Sequence, residues 1–308
     1  MLQDGKVVGV AFQAYSGDVA QNVGYMIPVP VIQRFLKDIE DGKYDRYMDL
    51  AIVMFPLQND AMRRALGLED DSRGVYVSTV HDVGPAAGIV EEGDVVLAID
   101  GHNVASDGFV ELDGQRVQMS EIVERKFRGD NVKLALLRDR KPIEVNVPFN
   151  DPWPFTMQSN RYDYSPRYVL FGGLLFQPLS RDFLLAYKLD ELQIRFFYDF
   201  FVDDEIYKEH PEVIVLSQVL ADPINTYLND FLYGIVESIN GRNIRTLEDV
   251  AEEFAKDTPE YVIRLIGIGR PLVLEKTAVD AARERILSRY NVLREQNLDE
   301  GIGEEYDE

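Results

Sequence analysis

Val95-Val96-Leu97-Ala98-Ile99-Asp100-Gly101-His102-Asn103-Val104 recurs later in the chain as Ile235-Val236-Glu237-Ser238-Ile239-Asn240-Gly241-Arg242-Asn243-Ile244. The apolar positions coincide, and so do the Asp-Gly or Asn-Gly pair and the Asn that follows it. Each copy reads as strand, tight turn, strand, because both central residues of such a turn accept positive φ. An internal repeat organises the chain.

The match extends outward from these turns. Upstream, Val77-Ser78-Thr79-Val80 parallels Leu216-Ser217-Gln218-Val219, and Pro85 parallels Pro223. Downstream, Lys141-Pro142-Ile143 parallels Arg270-Pro271-Leu272, each closing a last hairpin. Before that hairpin each copy carries a helical pattern, at 120–127 and 247–254, with Ser120 and Thr246 as expected N-caps and acids in the first turn. The first copy has an insertion at 105–116 and the second a longer one between 178 and 213. The latter includes Phe196-Phe197-Tyr198-Asp199-Phe200-Phe201, which reads as a helix covering a core or as a subunit contact, since such aromatic density is unfavourable in water. Asn150-Asp151-Pro152-Trp153-Pro154-Phe155 interrupts regular structure and marks a boundary. Residues 30–42 read as a helix with Ile32, Phe35, Leu36 and Ile39 on one face and Gly42 ending it. Residues 279–296 read as a second amphipathic helix, with Val279, Ala282, Ile286, Tyr290 and Leu293 in one stripe, packing on its own domain or serving as an oligomer arm.

Composition narrows the function classes. The 308 residues carry a formal charge of −22, which opposes both a nucleic-acid backbone and an anionic membrane surface. No apolar run is long enough to cross a bilayer as a helix, and residues 1–12 lack the pattern of a signal peptide. There is no cysteine, so thiolate chemistry and disulfides are excluded. The last ten residues hold six acids and read as a solvated tail. Only His81, His102 and His210 could serve a Ser-His-Asp triad, and each is expected in an exposed structural role. Ser16-Gly17-Asp18 is a loop signal rather than a nucleophile elbow. Gly267-Ile268-Gly269 is too short for a dinucleotide fingerprint, and Glu69-Asp70-Asp71 lacks calcium-loop spacing. No catalytic residue, metal or cofactor is expected.

Gly74-Val75-Tyr76-Val77, then Gly84-Pro85-Ala86-Ala87-Gly88-Ile89, then Gly93-Asp94-Val95-Val96, followed by the Asp-Gly turn and a helix, resembles a PDZ domain. The second copy keeps the Asn-Gly turn and loses the Gly-Asp pair. Over residues 5–290 the chain resembles the C-terminal part of Deg/HtrA serine proteases, in the plant-type branch with two PDZ domains. The resemblance is carried by Val7-Val8-Gly9-Val10-Ala11-Phe12, Asn22-Val23-Gly24-Tyr25-Met26-Ile27-Pro28-Val29-Pro30, Ser106-Asp107-Gly108, Phe171-Gly172-Gly173-Leu174-Leu175-Phe176 and Val215-Leu216-Ser217-Gln218-Val219-Leu220-Ala221-Asp222-Pro223-Ile224-Asn225. It implies an α+β, mainly β fold. Residues 1–44 would be the last strands and exit helix of a trypsin-like barrel, 45–149 a first PDZ domain, 150–278 a second, divergent one with a helical insertion, and 279–308 a helix and acidic tail. The family's Gly-Asn-Ser-Gly-Gly nucleophile motif would sit just before Val7, and Met1 is therefore expected to be internal to a longer protease. Bacterial members of the family are often periplasmic and plant ones organellar or nuclear, so the resemblance leaves the compartment open.

PDZ domains bind peptides by strand addition between a sheet edge and a helix, with loop amides holding the terminal carboxylate. In the first copy the edge is expected at Leu50-Ala51-Ile52-Val53-Met54-Phe55, with Met48 and Asp49 in the loop before it and Ile122, Val123 and Phe127 facing it. Ala51 stands where the family often has glycine. Asp49 would repel a terminal carboxylate, so internal or apolar segments are the expected ligands. In the second copy the edge is expected at Phe171-Gly172-Gly173-Leu174-Leu175-Phe176, facing Val250 and Phe254. The resemblance implies oligomer assembly through that domain and unfolded or extended polypeptides as partners. The implied role is the substrate-binding portion of a quality-control endopeptidase, inactive by itself. The alternatives are a standalone PDZ scaffold and, least favoured, an enzyme with an unrecognised site.

Overall fold

Asp100 and Gly101 take φ of 46° and 83°, and Asn240 and Gly241 take 51° and 82°, so both repeat turns are of the left-handed hairpin type that the Asx-Gly pairs select. The likeness runs deeper than conformation. Asp100 Oδ1 accepts the Lys133 N–H (2.8 Å), and Asn240 Oδ1 accepts the Val262 N–H (2.9 Å), so one side chain ties each turn to the neighbouring strand. The computed structural model describes residues 2–14, 24–42, 44–68, 73–150, 155–159, 161 and 164–299. They divide into two compact units, 1–154 and 155–308. Ser16-Gly17-Asp18, Glu69-Asp70-Asp71, the proline-rich 151–154 and the acidic 300–308 lie outside the described residues.

In the first unit, antiparallel strands Gly9–Ala14 and Gly24–Pro28 lead into helix α1, Val29–Asp38. Strand Ile52–Pro56 follows, then helix α2, Asp60–Leu66, capped by Asn59, whose side chain accepts the Met62 N–H. The main sheet runs Lys141–Pro148, Asn131–Arg138, Val95–Ile99, Val75–Val80, Ile52–Pro56, with His102–Asn103 beside Val95–Ile99. The insertion folds as its own hairpin, Phe109–Leu112 with Gln115–Gln118, and helix α3, Ser120–Glu124, lies over the sheet. The Gly93-Asp94 pair places a buried carboxylate that Arg138 grips through Nε (2.8 Å) and Nη2 (2.7 Å).

The second unit holds two four-stranded sheets. One is ordered Ile214–Val219, Leu174–Pro178, Tyr168–Phe171, Gln296–Asn297; the other Arg242–Asn243, Val236–Ile239, Glu260–Leu265, Leu272–Glu275. The insertion supplies helices α4, Arg181–Tyr187, and α5, Leu192–Asp199, around a core of their own that includes Phe183, Ile194, Phe201 and Tyr207. Phe196 and Phe200 stay half-exposed beside each other. Helix α6, Leu247–Phe254, starts at a capping box formed by Thr246 and Asp249, and helix α7 spans Lys276–Arg289. No helix among the described residues is long and apolar enough to cross a membrane.

Four expectations need correction. Helix α1 buries Arg34 and Asp38, while Phe35 and Leu36 stand 44% and 55% exposed, so its polar face turns inward. The reason is Arg34, which donates to the carbonyls of Glu124 (2.9 Å), Arg46 (2.6 Å) and Lys126 (3.2 Å), pairs with Asp38 (3.2 Å), and lies against the Tyr47 and Phe127 rings. Ser120 is the first residue of α3 rather than its cap; Met119 takes that place because it is buried and its N–H donates to the Gly108 carbonyl (3.0 Å). Helix α7 stops at Arg289, since Asn291 turns left-handed at φ 52°, and Leu293 is 89% exposed instead of extending the stripe. His81 is buried, its backbone N–H bound to the Ala51 carbonyl (3.0 Å).

Two outcomes follow from the buried ion pairs. Replacing Arg34 by Met leaves the Asp38 carboxylate buried without its cation, so the first unit should lose about 3–5 kcal/mol in calorimetric unfolding, with partial recovery in the double variant Arg34→Met/Asp38→Asn. In the second unit, Arg285 grips the buried Asp222 through two contacts of 2.7 Å and, with the Ile224 N–H, holds its carboxyl below the usual range. A depressed native pKa stabilises above the unfolded value of about 3.9 and is lost as pH falls through the native value. Asp222→Asn should therefore cost about 1–3 kcal/mol at neutral pH, and its difference from wild type should vanish in acid denaturation below that range.

Candidate peptide-binding grooves

The first groove starts from a loop that points alternate residues inward. Met48 and Leu50 are buried in the main core, while Asp49 between them is exposed. Ala51 turns left-handed at φ 59°, unusual for a residue with a Cβ, and its carbonyl faces back to the His81 N–H. That turn sends the chain into Ile52–Pro56, which pairs on one side only, with Val75–Val80. Among the described residues no strand pairs with its other side, so an edge of backbone donors and acceptors remains available there. Ser78 Oγ donates to the Val53 carbonyl (3.1 Å) where the register shifts between Val53 and Met54.

The residues expected to line this groove divide by burial. Ile122 and Val123 on α3 join Met48 and Leu50 in the core, with Ile52 packed against them, and form its floor. Phe127 lies beyond the helix. Asp130 accepts the Phe127 N–H (2.9 Å), Gly129 turns at φ 90°, and α3 ends at Glu124. Phe127 is partly buried, with Arg34 and Lys37 over its ring. Sequence reasoning missed Arg34, which joins α1 to both the carbonyl of Arg46 before the loop and the carbonyls at the end of α3. Its sequence signal is the Arg34–Asp38 spacing of four on the helix.

The second groove is built to the same plan, but its strand edge is paired by the chain itself. Ser217 Oγ donates to the Leu175 carbonyl (3.1 Å) as Ser78 does to Val53, and the Leu220 N–H donates to the Gly173 carbonyl (2.7 Å) as His81 does to Ala51. These contacts make Leu174–Pro178 the counterpart of Ile52–Pro56. Residues 171–176, expected as an open edge, instead form a hairpin corner at Gly172 and Gly173, with φ of 58° and 82°. The outer edge of Leu174–Pro178 is taken by the chain's own Tyr168–Phe171, and Gln296–Asn297 pairs beyond that. The apolar run 168–171 can close back on its neighbour because both corner residues lack a Cβ, and one on Gly173 would come within 2.7 Å of the Leu220 carbonyl oxygen.

Of the six residues expected there, Leu174 and Val250 are fully buried core. Phe171 and Phe254 meet face to face, with centroids 4.2 Å apart at 4°. Phe171, Gly172, Gly173 and Phe254 line a cavity of about 560 Å3 together with Val279 and Ile286 of α7. Strand Tyr168–Phe171 is held from outside. The Glu295 carbonyl accepts the Leu170 N–H (2.7 Å), and the Glu295 carboxylate pairs with Arg283. Burial lowers the pKa of His210, whose ring meets Phe197 edge-on, and His102 Nδ1 lies 2.9 Å from the Glu111 carbonyl oxygen. Among the described residues no group of three or more His, Asp or Glu side chains is placed to hold a metal ion.

Comparison with known proteins agrees with this double architecture. Family models described as PDZ domain match residues 65–149 and 157–299. Protease Do-like 2, chloroplastic, of Arabidopsis thaliana is 28% identical over 300 residues, covering 96% of this chain and 48% of that protein. Putative protease Do-like 3, mitochondrial, of the same plant is 27% identical, covering 84% and 45%. A solved HtrA-type protease, AlgW with decapeptide, is 25% identical with a TM-score of 0.37, over 49% of this chain and 43% of that one. The chain thus spans about half the length of the curated relatives it matches. With a PDZ domain in each of its two units, the chain is a double-PDZ protein, and along nearly all of its length it is similar to Do-like proteases of the Deg/HtrA type.

Proposed function

We propose that the first PDZ domain captures extended polypeptide by strand addition along the outer edge of Ile52–Pro56, and that the chain is the substrate-binding and assembly portion of a Deg/HtrA-type serine endopeptidase acting in protein quality control. The carrying observation is the outer edge of that strand, which no strand among the described residues pairs, next to an apolar floor of Ile52, Ile122 and Val123. A visiting segment there gains main-chain hydrogen bonds whatever its sequence, which suits a binder of unfolded chains. The charge of −22 favours segments that are apolar or basic.

The second domain takes a different part in this reading. Its counterpart edge is occupied by the chain itself, so its role is assembly. The half-exposed Phe196 on α5 and Phe200 at its C-cap, with Leu192 exposed at its start, supply an apolar face for contact between copies. Residues 1–44 fit the reading as the closing strands and exit helix of a protease barrel, since a hairpin with Val10, Phe12, Tyr25 and Met26 exposed has little use in a free-standing scaffold.

A peptide array of apolar decapeptides tests the reading. Binding to the 308-residue chain should fall by about tenfold or more in Ile52→Asp, which places a charge in the groove floor. It should be unchanged in Phe196→Ser on the second unit. Equal binding by Ile52→Asp would move the site elsewhere. The chain alone should leave casein uncut.

A further inference from the structure

The loop in front of Ile52–Pro56 stands where strand-addition sites offer backbone amides to a peptide's terminal carboxylate. In this chain one of those amides is taken. The Ala51 N–H donates to Asp49 Oδ1 at 2.7 Å. We propose that Asp49 acts as a tethered carboxylate in the first groove and makes it select internal polypeptide segments over free C-terminal ends. The proposal deepens the strand-addition reading and rests on it.

Three features keep the Ala51 amide committed. Its backbone holds φ 59°. Its carbonyl is bound by the His81 N–H at 3.0 Å. Its Cβ packs directly on Gly84, a position where only glycine fits because an added Cβ would lie 2.0 Å from it. Asp49 itself is exposed at the mouth of the groove. A ligand carboxylate arriving there would meet both a filled donor and a like charge a few ångströms away. Arg34 lies beneath the same loop, but its guanidinium is engaged by Asp38 and by the carbonyls of Arg46, Glu124 and Lys126.

The second copy provides the contrast. There Gly173 stands in the place of Ala51, and counting back two residues puts Phe171 in the place of Asp49. Phe171 lies in the hairpin that pairs that edge, so the acid is confined to the copy whose edge no described strand pairs. An internal segment brings only neutral amides past Asp49 and loses nothing to the charge, whereas a chain end brings its carboxylate to the one position already taken.

The test uses the same apolar decapeptides, each made as the free acid, as the carboxamide, and with a short Gly-Ser extension at its C-terminus. Wild type should bind the carboxamide and extended forms about tenfold tighter than the acid. Asp49→Ala, which removes both charge and acceptor, should move that ratio at least about tenfold toward the acid. Asp49→Asn keeps an acceptor for the Ala51 N–H and loses the charge, so it should fall between; a shift in this variant arises with the loop's hydrogen bond intact. A wild-type preference for the free acid, or a ratio unmoved in both variants, overturns the proposal. If peptides bind in an Ile52-dependent way but ignore their end group, the role of Asp49 fails alone. If no peptide binds, strand addition fails and takes the proposal with it.

Discussion

Everything in this molecule turns on how the backbone of a single strand edge is satisfied. Both copies of the repeat set the same strand beside its serine-bearing neighbour, fixed by an equivalent serine hydroxyl and an equivalent left-handed loop residue. An edge of this kind must be paired, covered or left for a partner. In the second copy the chain pairs it with Tyr168–Phe171 and backs that strand with Gln296–Asn297. In the first copy no described strand does so. Two domains with one plan thereby acquire different physical capacities, one to accept a strand and one already holding its own.

The loop before each edge follows from the same constraint. A hairpin back onto the edge needs two consecutive left-handed residues without side-chain clash, and Gly172-Gly173 supplies them. Leu50-Ala51 does not. Leu50 is anchored in the core, Ala51 alone turns left-handed, and the chain arrives from α1 instead. Arg34 then ties α1 to the carbonyl of Arg46 before the loop and to the carbonyls at the end of α3, so a single guanidinium links three segments of the first unit.

Much of the fold was legible in advance for local reasons. The Asp-Gly and Asn-Gly turns, the Thr246 cap and the equivalence of Ser78 with Ser217 depend on conformational preferences and short spacings that one stretch of sequence contains. The candidate groove of the first copy was legible for the same reason, through the loop and strand at 48–53. Phe127 was harder: Gly129 and Asp130 end the helix before it, and that turn is visible only once the Asp130 carboxylate is seen on the Phe127 N–H. The second groove was misjudged because strand, corner and strand at 168–178 form an apolar run whose break lies in two glycines, and a run of that kind does not say which of its halves is the edge.

The sequence by itself determined the repeat, the turn types and the order of elements, because these rest on φ preferences, apolar periodicity and capping among near neighbours. Only the tertiary structure decided which strand edge is closed, which face of α1 is buried and which amide Asp49 occupies. Those outcomes depend on groups far apart in the chain, such as Arg34 with Glu124 and Leu170 with Glu295, whose meeting is set by the packing of whole elements rather than by any local pattern.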